Sequence, residues 1–116
     1  MLSCETAQPW GTIIAQISHV EFGDEISYIG DYAFKGATSL TSIGWNKIQT
    51  IGSYSFSECL GLTSLRLGNN ITTINSHAFE NCSKLASVKL PKGISIINTK
   101  TFYNCSSLTS VVIPAN

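Results

Sequence analysis

Ile71 to Gly93 reads ITTINSHAFENCSKLASVKLPKG, and the rest of the chain is built on copies of it. The stretch from Ile94 reads ISIINTKTFYNCSSLTSVVIPAN, and the one from Ile48 reads IQTIGSYSFSECLGLTSLRLGNN. The copy from Ile26, ISYIGDYAFKGATSLTSIGWNK, is one residue shorter. Phe34, Phe56, Phe79 and Phe102 follow one another at steps of 22, 23 and 23 residues, and Leu40, Leu62, Leu85 and Leu108 step identically. A fixed short period marks a solenoid, in which each repeat buries its apolar side only against its neighbours. The repeats run 26–47, 48–70, 71–93 and 94–116, after an N-terminal cap and partial repeat at 1–25.

Each repeat has two halves. The second half carries Leu40/Ile43/Trp45, Leu62/Leu65/Leu67, Leu85/Val88/Leu90 and Leu108/Val111/Ile113, whose last positions alternate apolar and polar as a half-buried strand does. Copies one period apart should stack as a parallel sheet at about 4.8 Å per rung. Turn formers follow each strand: Gly23-Asp24, Asn46-Lys47, Gly68-Asn69-Asn70 and Pro91-Lys92-Gly93. Ile17, Val20 and Phe22 match Leu40, Ile43 and Trp45 at a step of 23, so residues 17–25 form the second half of a partial repeat. Trp10, Ile13 and Ile14 are placed to cover its open core.

The first half opens on Ile26/Ile29, Ile48/Ile51, Ile71/Ile74 and Ile94/Ile97. Gly30, Gly52, Asn75 and Asn98 come next; glycine and asparagine tolerate positive φ, which predicts a left-handed corner there. Asp31, Ser53, Ser76 and Thr99 then read as helix N-caps. A single helical turn should follow, with Ala33, Ser55, Ala78 or Thr101 and the phenylalanine facing inward, and with Gly36, Asn81 and Asn104 at its exit. Ala37, Cys59, Cys82 and Cys105 should also point inward. The fold expected is a right-handed α/β solenoid of leucine-rich-repeat type, with a short parallel sheet on one face and one-turn helices on the other.

Composition narrows the function. The chain has 116 residues, 43% hydrophobic and 12% charged, so one domain can form a core while serine, threonine and asparagine replace charge outside it. Net charge is zero overall, but −4 over residues 1–58 and +4 over residues 59–116. This asymmetry suits steering of a partner or head-to-tail association, and is also what drift among solvated positions produces. There is no basic run, and the aromatics fall on core positions, which argues against nucleic acid. No apolar run approaches the roughly 20 residues of a membrane span. Met1 to Pro9 lacks the basic start and apolar middle of a signal peptide, which predicts either a cytosolic chain or a mature or truncated piece of something larger.

The pattern I-x-x-I-G-x-x-A-F-x-x-C-x-x-L-x-x-V-x-(I/L)-P, carried by Ile26 to Asn116, resembles the Treponema-type leucine-rich repeat of BspA-like proteins. Pro9-Trp10 followed by Val20-Glu-Phe22 is similar to that family's N-terminal lead-in. Departures are Ala37 for Cys, Trp45 and Leu67 at the strand end, and proline only at Pro91 and Pro114. The resemblance implies a surface-exposed or secreted protein of bacteria or parasitic protists, of a kind associated with adhesion to host matrix proteins and cell aggregation. It carries no catalytic residue.

Cys59, Cys82 and Cys105 share one column, with Cys4 outside it. No close cysteine pair of the metal-binding kind occurs, and thiols stacked on a parallel ladder point the same way, so these read as small buried hydrophobes. His19 and His77 stand at no recognisable spacing from a nucleophile, and neither G-x-S-x-G nor a phosphate loop is present. No enzyme, metal or cofactor is expected. The sequons at Asn70, Asn81 and Asn104 read as a turn residue and two helix-exit asparagines rather than glycan sites.

The outward strand positions remain as the expected binding surface. One column is His19, Ser42, Ser64, Ser87 and Ser110; the next is Glu21, Gly44, Arg66, Lys89 and Val112. The second varies from rung to rung, which is where a repeat array encodes specificity without altering its core. The expected function is a protein-binding module, adhesin-like, at the cell surface or outside the cell, with a host matrix or cell-surface protein as partner. The alternative is a structural spacer with no ligand. The rung around Ile97, Phe102, Leu108, Val111 and Ile113 lacks a cover in this sequence, which predicts either that the chain is a fragment of a longer array or that it self-associates there.

Overall fold

The computed structural model describes residues 14–114. Its two sets of parallel strands both come from the repeat. The first set is β1 (His19–Glu21), β3 (Ser42–Gly44), β5 (Ser64–Arg66), β7 (Ser87–Lys89) and β9 (Ser110–Val112). The second is β2 (Tyr28–Ile29), β4 (Thr50–Ile51), β6 (Thr73–Ile74) and β8 (Ile96–Ile97). The result is a parallel β-solenoid of about four turns, stacked as in leucine-rich repeats. The second set forms a continuous sheet in the order β2-β4-β6-β8. It was not anticipated, because strands of two residues are too short to show alternation.

The apolar columns are the core. Ile29, Ile51 and Ile74 stack beneath the second sheet, and Leu40, Leu62 and Leu85 run beside them; all are fully buried. The phenylalanine rings form a continuous ladder, with centroid separations of 5.4 Å for Phe34–Phe56, 5.4 Å for Phe56–Phe79 and 5.7 Å for Phe79–Phe102. Ala37, Cys59, Cys82 and Cys105 are buried as expected, as are Ala33, Ser55, Ala78 and Thr101. Ile14 is buried against this core, whereas Trp10, Ile13 and Cys4 lie outside the described residues.

The third side of each rung departs from expectation. Residues 31–36, 53–58, 76–81 and 99–104 are runs of turns rather than helices. Their amide groups alternate between two uses. Ala33, Lys35 and Ala37 donate to the carbonyls of Gly30, Tyr32 and Phe34, three residues back. Tyr32, Phe34 and Gly36 donate instead to Ser53, Ser55 and Ser57 of the next rung, at 2.9, 2.7 and 2.9 Å. Phe56 to Ala78 and Phe79 to Thr101 repeat the pattern. A helix would turn every amide back along its own chain and leave no bond between rungs. Stacking wins because the neighbouring rung presents a carbonyl at every second position.

The left-handed residues are also displaced from the expected corner. None of Gly30, Gly52, Asn75 or Asn98 has positive φ. Positive φ falls instead on Tyr32, Tyr54, His77 and Lys100, and on Gly36, Glu58, Asn81 and Asn104. Tyr32 and Gly36 are the third residues of β-turns, the position that requires a left-handed backbone in type II turns. Asn81 and Asn104 therefore serve turns, not helix exits. Asp31 is no N-cap of its own rung; its Oδ1 accepts the Ser53 N–H of the next rung at 2.9 Å.

Candidate protein-binding face

The first strand set places the predicted columns in register. His19 lies opposite Ser42, and Ser64, Ser87 and Ser110 form one row. Glu21 lies opposite Gly44, and Arg66, Lys89 and Val112 form the second row. All are exposed except Ser87 and Gly44, which are half-buried. Between them Leu65 and Val88 point into the core. The arrangement follows from strand alternation: the apolar residue between two polar ones fixes which side faces water.

Two local clusters result. At one end His19 bonds the Ser42 hydroxyl through Nδ1 at 2.6 Å and Glu21 Oε1 through Nε2 at 3.0 Å. The Glu21 carboxylate folds over Gly44, into the space beside its Cα that a side chain would otherwise occupy. At the other end Arg66 and Lys89 sit side by side above a cleft of about 210 Å³, together with Ser64, Ser87 and Val112. Like charge on adjacent strands, with no acid between them, leaves a cationic patch.

The two clusters are not one sheet. The strand order is β1-β3 and, separately, β5-β7-β9. No Cα of β3 comes within 8 Å of a Cα of β5, although the sheet of β2, β4, β6 and β8 behind them is unbroken. Trp45 sits at the break. Its ring is buried between Phe22 and Phe56, with centroids 6.4 and 5.6 Å away, where Leu67 and Leu90 occupy the equivalent site in later rungs. Its indole N–H donates to the Arg66 carbonyl at 2.9 Å. The regular ladder bonds Phe22 N–H to Gly44 and Leu67 N–H to Lys89, so the indole has taken the acceptor that the Trp45 amide would use. Only the size of Trp45, legible in the sequence, hinted at the break.

A second feature escaped the sequence reading. Tyr32, Tyr54 and His77 stack face to face on the turn side, with centroids 4.9 and 4.6 Å apart, and Lys35 lies 5.6 Å from the Tyr32 ring centre. Glu80 bonds His77 Nδ1. The signal was present, since these residues share one repeat position, but the sequence reading followed only the inward-facing columns of this half.

The cysteine column holds no disulfide. Cys59, Cys82 and Cys105 are free, and each thiol donates to the phenylalanine carbonyl of the preceding rung, Phe34, Phe56 and Phe79. Burial pushes the Cys59 thiol up to about 12. The neighbouring Cys105 thiol, together with burial, pushes Cys82 up as well. The same contact with Cys82 lowers the Cys105 thiol, so only Cys59 and Cys82 are held firmly in the unreactive protonated form. Among the described residues no group of His, Cys, Asp and Glu is placed to hold a metal. No helix among them is long and apolar enough to cross a membrane.

Comparison with known proteins agrees with this geometry. The family model for the BspA type leucine rich repeat region matches residues 14–116 in six copies. No curated protein matches the chain. A leucine rich cell surface protein from Faecalibacterium prausnitzii A2-165 superposes with TM-score 0.81 at 26% identity, over 86% of this chain and 27% of its own. The T. pallidum leucine rich repeat protein gives 0.80 at 26% identity, over 84% of this chain and 46% of its own. A leucine-rich repeat protein from Bacteroides ovatus gives 0.76 at 27% identity, over 86% and 26%. The chain thus spans between about a quarter and a half of the length of these structures. With the repeat register, the buried columns and the family match all covering the same residues, the chain belongs to the BspA-type leucine-rich repeat family.

Proposed function

We propose that this chain is a non-enzymatic module that binds partner proteins through its exposed strand face, adhesin-like, at the cell surface or outside the cell. The observation that carries this reading is the registered pair Arg66 and Lys89 above a cleft bordered by Ser64, Ser87 and Val112. Two unneutralised cations on neighbouring strands of an exposed face suit an acidic segment of a protein. The location draws support from the F. prausnitzii relative, which is described as a cell surface protein.

The test is surface plasmon resonance of the chain against a panel of purified matrix and cell-surface proteins. Reversing both Arg66→Glu and Lys89→Glu should weaken binding about tenfold at low salt, with the difference shrinking as salt rises. Equal affinity of the two forms for a bound partner would favour the spacer reading.

Self-association is a second reading with its own support. Ile97 and Val111 are 44% and 45% exposed, whereas their equivalents one rung earlier, Ile74 and Val88, are 0% and 1%. Val112 and Ile113 extend the same apolar edge. Light scattering over a range of concentrations should show dimers that adding one further consensus repeat and a polar cap abolishes. A monomer at high concentration rules this reading out.

A further inference from the structure

We propose that the opening between β3 and β5 is a docking slot for a short, extended, acidic segment of a partner protein, which pairs through its own backbone. The proposal rests on the protein-binding reading above and specifies where and how the partner is held.

The opening is wider than the gap between paired strands. Neighbouring strands lie about 4.8 Å apart, and inserting one strand between two others needs about 9.6 Å. β3 and β5 stand more than 8 Å apart at every Cα pair. The opening is also bounded. At one end a Cβ on Gly61 would lie 2.7 Å from the Leu40 carbonyl, and at the other a Cβ on Gly68 would lie 2.6 Å from Trp45 Cβ. The rungs touch at both ends and part between them. The occupant is therefore short, about the three residues of β3 or β5, entering and leaving through the exposed face.

The walls are made of unused backbone. In a parallel strand successive residues turn their N–H and C=O to opposite sides. Ser42 N–H bonds back to Ser18, so Ile43 faces β5; Ser64 and Arg66, the counterparts of Ser42 and Gly44, face β3. No backbone hydrogen bond joins the two strands. Ile43 N–H and C=O thus line one lip, and Ser64 N–H, Ser64 C=O and Arg66 N–H line the other. Alternating donors and acceptors on both lips match the edges of an extended chain, the recognition used in β-strand addition. Leu62 and Leu65 floor the cleft, whose volume is about 190 Å³. Ile43 is half-buried where Leu65 and Val88 are buried, so the opening exposes its side chain as well.

Charge selects the occupant. Arg66 stands on the β5 lip with Lys89 beside it in register. The nearest acid of the face, Glu21, lies over Gly44 on the far side and is engaged by His19. A carboxylate on the inserted segment is attracted to the β5 lip.

The wedge that holds the slot open is Trp45, so it can be removed. Trp45→Leu places in this rung the residue that Leu67 and Leu90 provide in the next two, and Trp45→Phe places the residue of Phe22. The probe is a short blocked peptide of alternating Asp and Val, added to isotope-labelled chain and followed by amide NMR. Without peptide, the amides of Ile43, Ser64 and Arg66 should exchange at least tenfold (about) faster than that of Lys89, and Trp45→Leu should slow them. The peptide should shift and protect these three amides. The same peptide N-methylated along its backbone should bind about tenfold more weakly, as should the unmodified peptide to Trp45→Leu or Trp45→Phe. Three outcomes overturn the slot: seam amides already as protected as Lys89 in wild type, no response of the three amides to the peptide, or equal binding of the N-methylated form. The last would leave a charge-only contact at Arg66 and Lys89, so the slot would fail while the binding face stood. Loss of partner binding on Arg66→Glu with Lys89→Glu tests that face independently.

Discussion

Phe56 and Phe79 lie one above the other with ring centroids 5.4 Å apart and planes 7° from parallel, both fully buried. Each ring is packed above and below by another phenylalanine, so truncation leaves a void that neither neighbour can fill without leaving its own rung. Phe79→Ala should cost about 3–5 kcal/mol, and the half-buried Phe102→Ala should cost less. Urea melts of both variants check the order; a Phe79→Ala loss under about 1 kcal/mol would contradict it.

Ser55 sits in the column of Ala33 and Ala78, is fully buried, and its hydroxyl has no hydrogen-bond partner. The sequence offered no warning, since serine at this position looks like a small inward residue. Ser55→Ala keeps the volume and removes an unpaired polar group, so it should stabilise the chain by about 1 kcal/mol. Thermal unfolding measures it, and a destabilised variant would mean the hydroxyl has a partner in solution.

Gly52 approaches the preceding rung so closely that a Cβ would lie 2.3 Å from the Ile29 carbonyl oxygen, a backbone atom that cannot move aside. Gly52→Ala should therefore destabilise by about 2 kcal/mol or more, although its φ is not positive. A Cβ on Gly93 meets nothing within 4 Å, and Gly93→Ala should stay within about 0.5 kcal/mol of wild type. Chemical denaturation of the pair separates close approach from backbone conformation as the reason for glycine.

The Cys59 thiol ordinarily ionises near 9 and is pushed up to about 12 by burial in the fold. The folded chain thus holds a proton that the unfolded chain releases, so the contribution of this thiol to stability is level below pH 9 and falls as pH rises toward 12. Cys59→Ala should flatten part of that fall in urea melts run across this window. A thiol reagent at neutral pH should leave Cys59, Cys82 and Cys105 untouched until the chain unfolds. Labelling of these three in native protein would contradict their burial.

The repeat period alone assigns every core column, because a solenoid places equivalent residues directly above one another. Ile29 on Ile51 on Ile74, the phenylalanine ladder and the cysteine column follow from counting, and so do the exposed rows that meet at Arg66 and Lys89. What the period cannot say is how one rung bonds to the next. The turns at 31–36 and 53–58 are not helical because the neighbouring rung offers carbonyls to Tyr32, Phe34 and Gly36, competition that a single repeat does not contain. Left-handed backbone accordingly falls on Tyr54 and His77, residues chosen by the turn's place in the stack rather than by their own preference. The parting of β3 from β5 is likewise a tertiary outcome: Trp45 must fit among Phe22, Phe56 and Gly68 at once, and its indole reaches the Arg66 carbonyl before its backbone can. Column identity is a property of each repeat and is written in the sequence; spacing between columns depends on the shapes of two rungs pressed together, and only the assembled structure decides it.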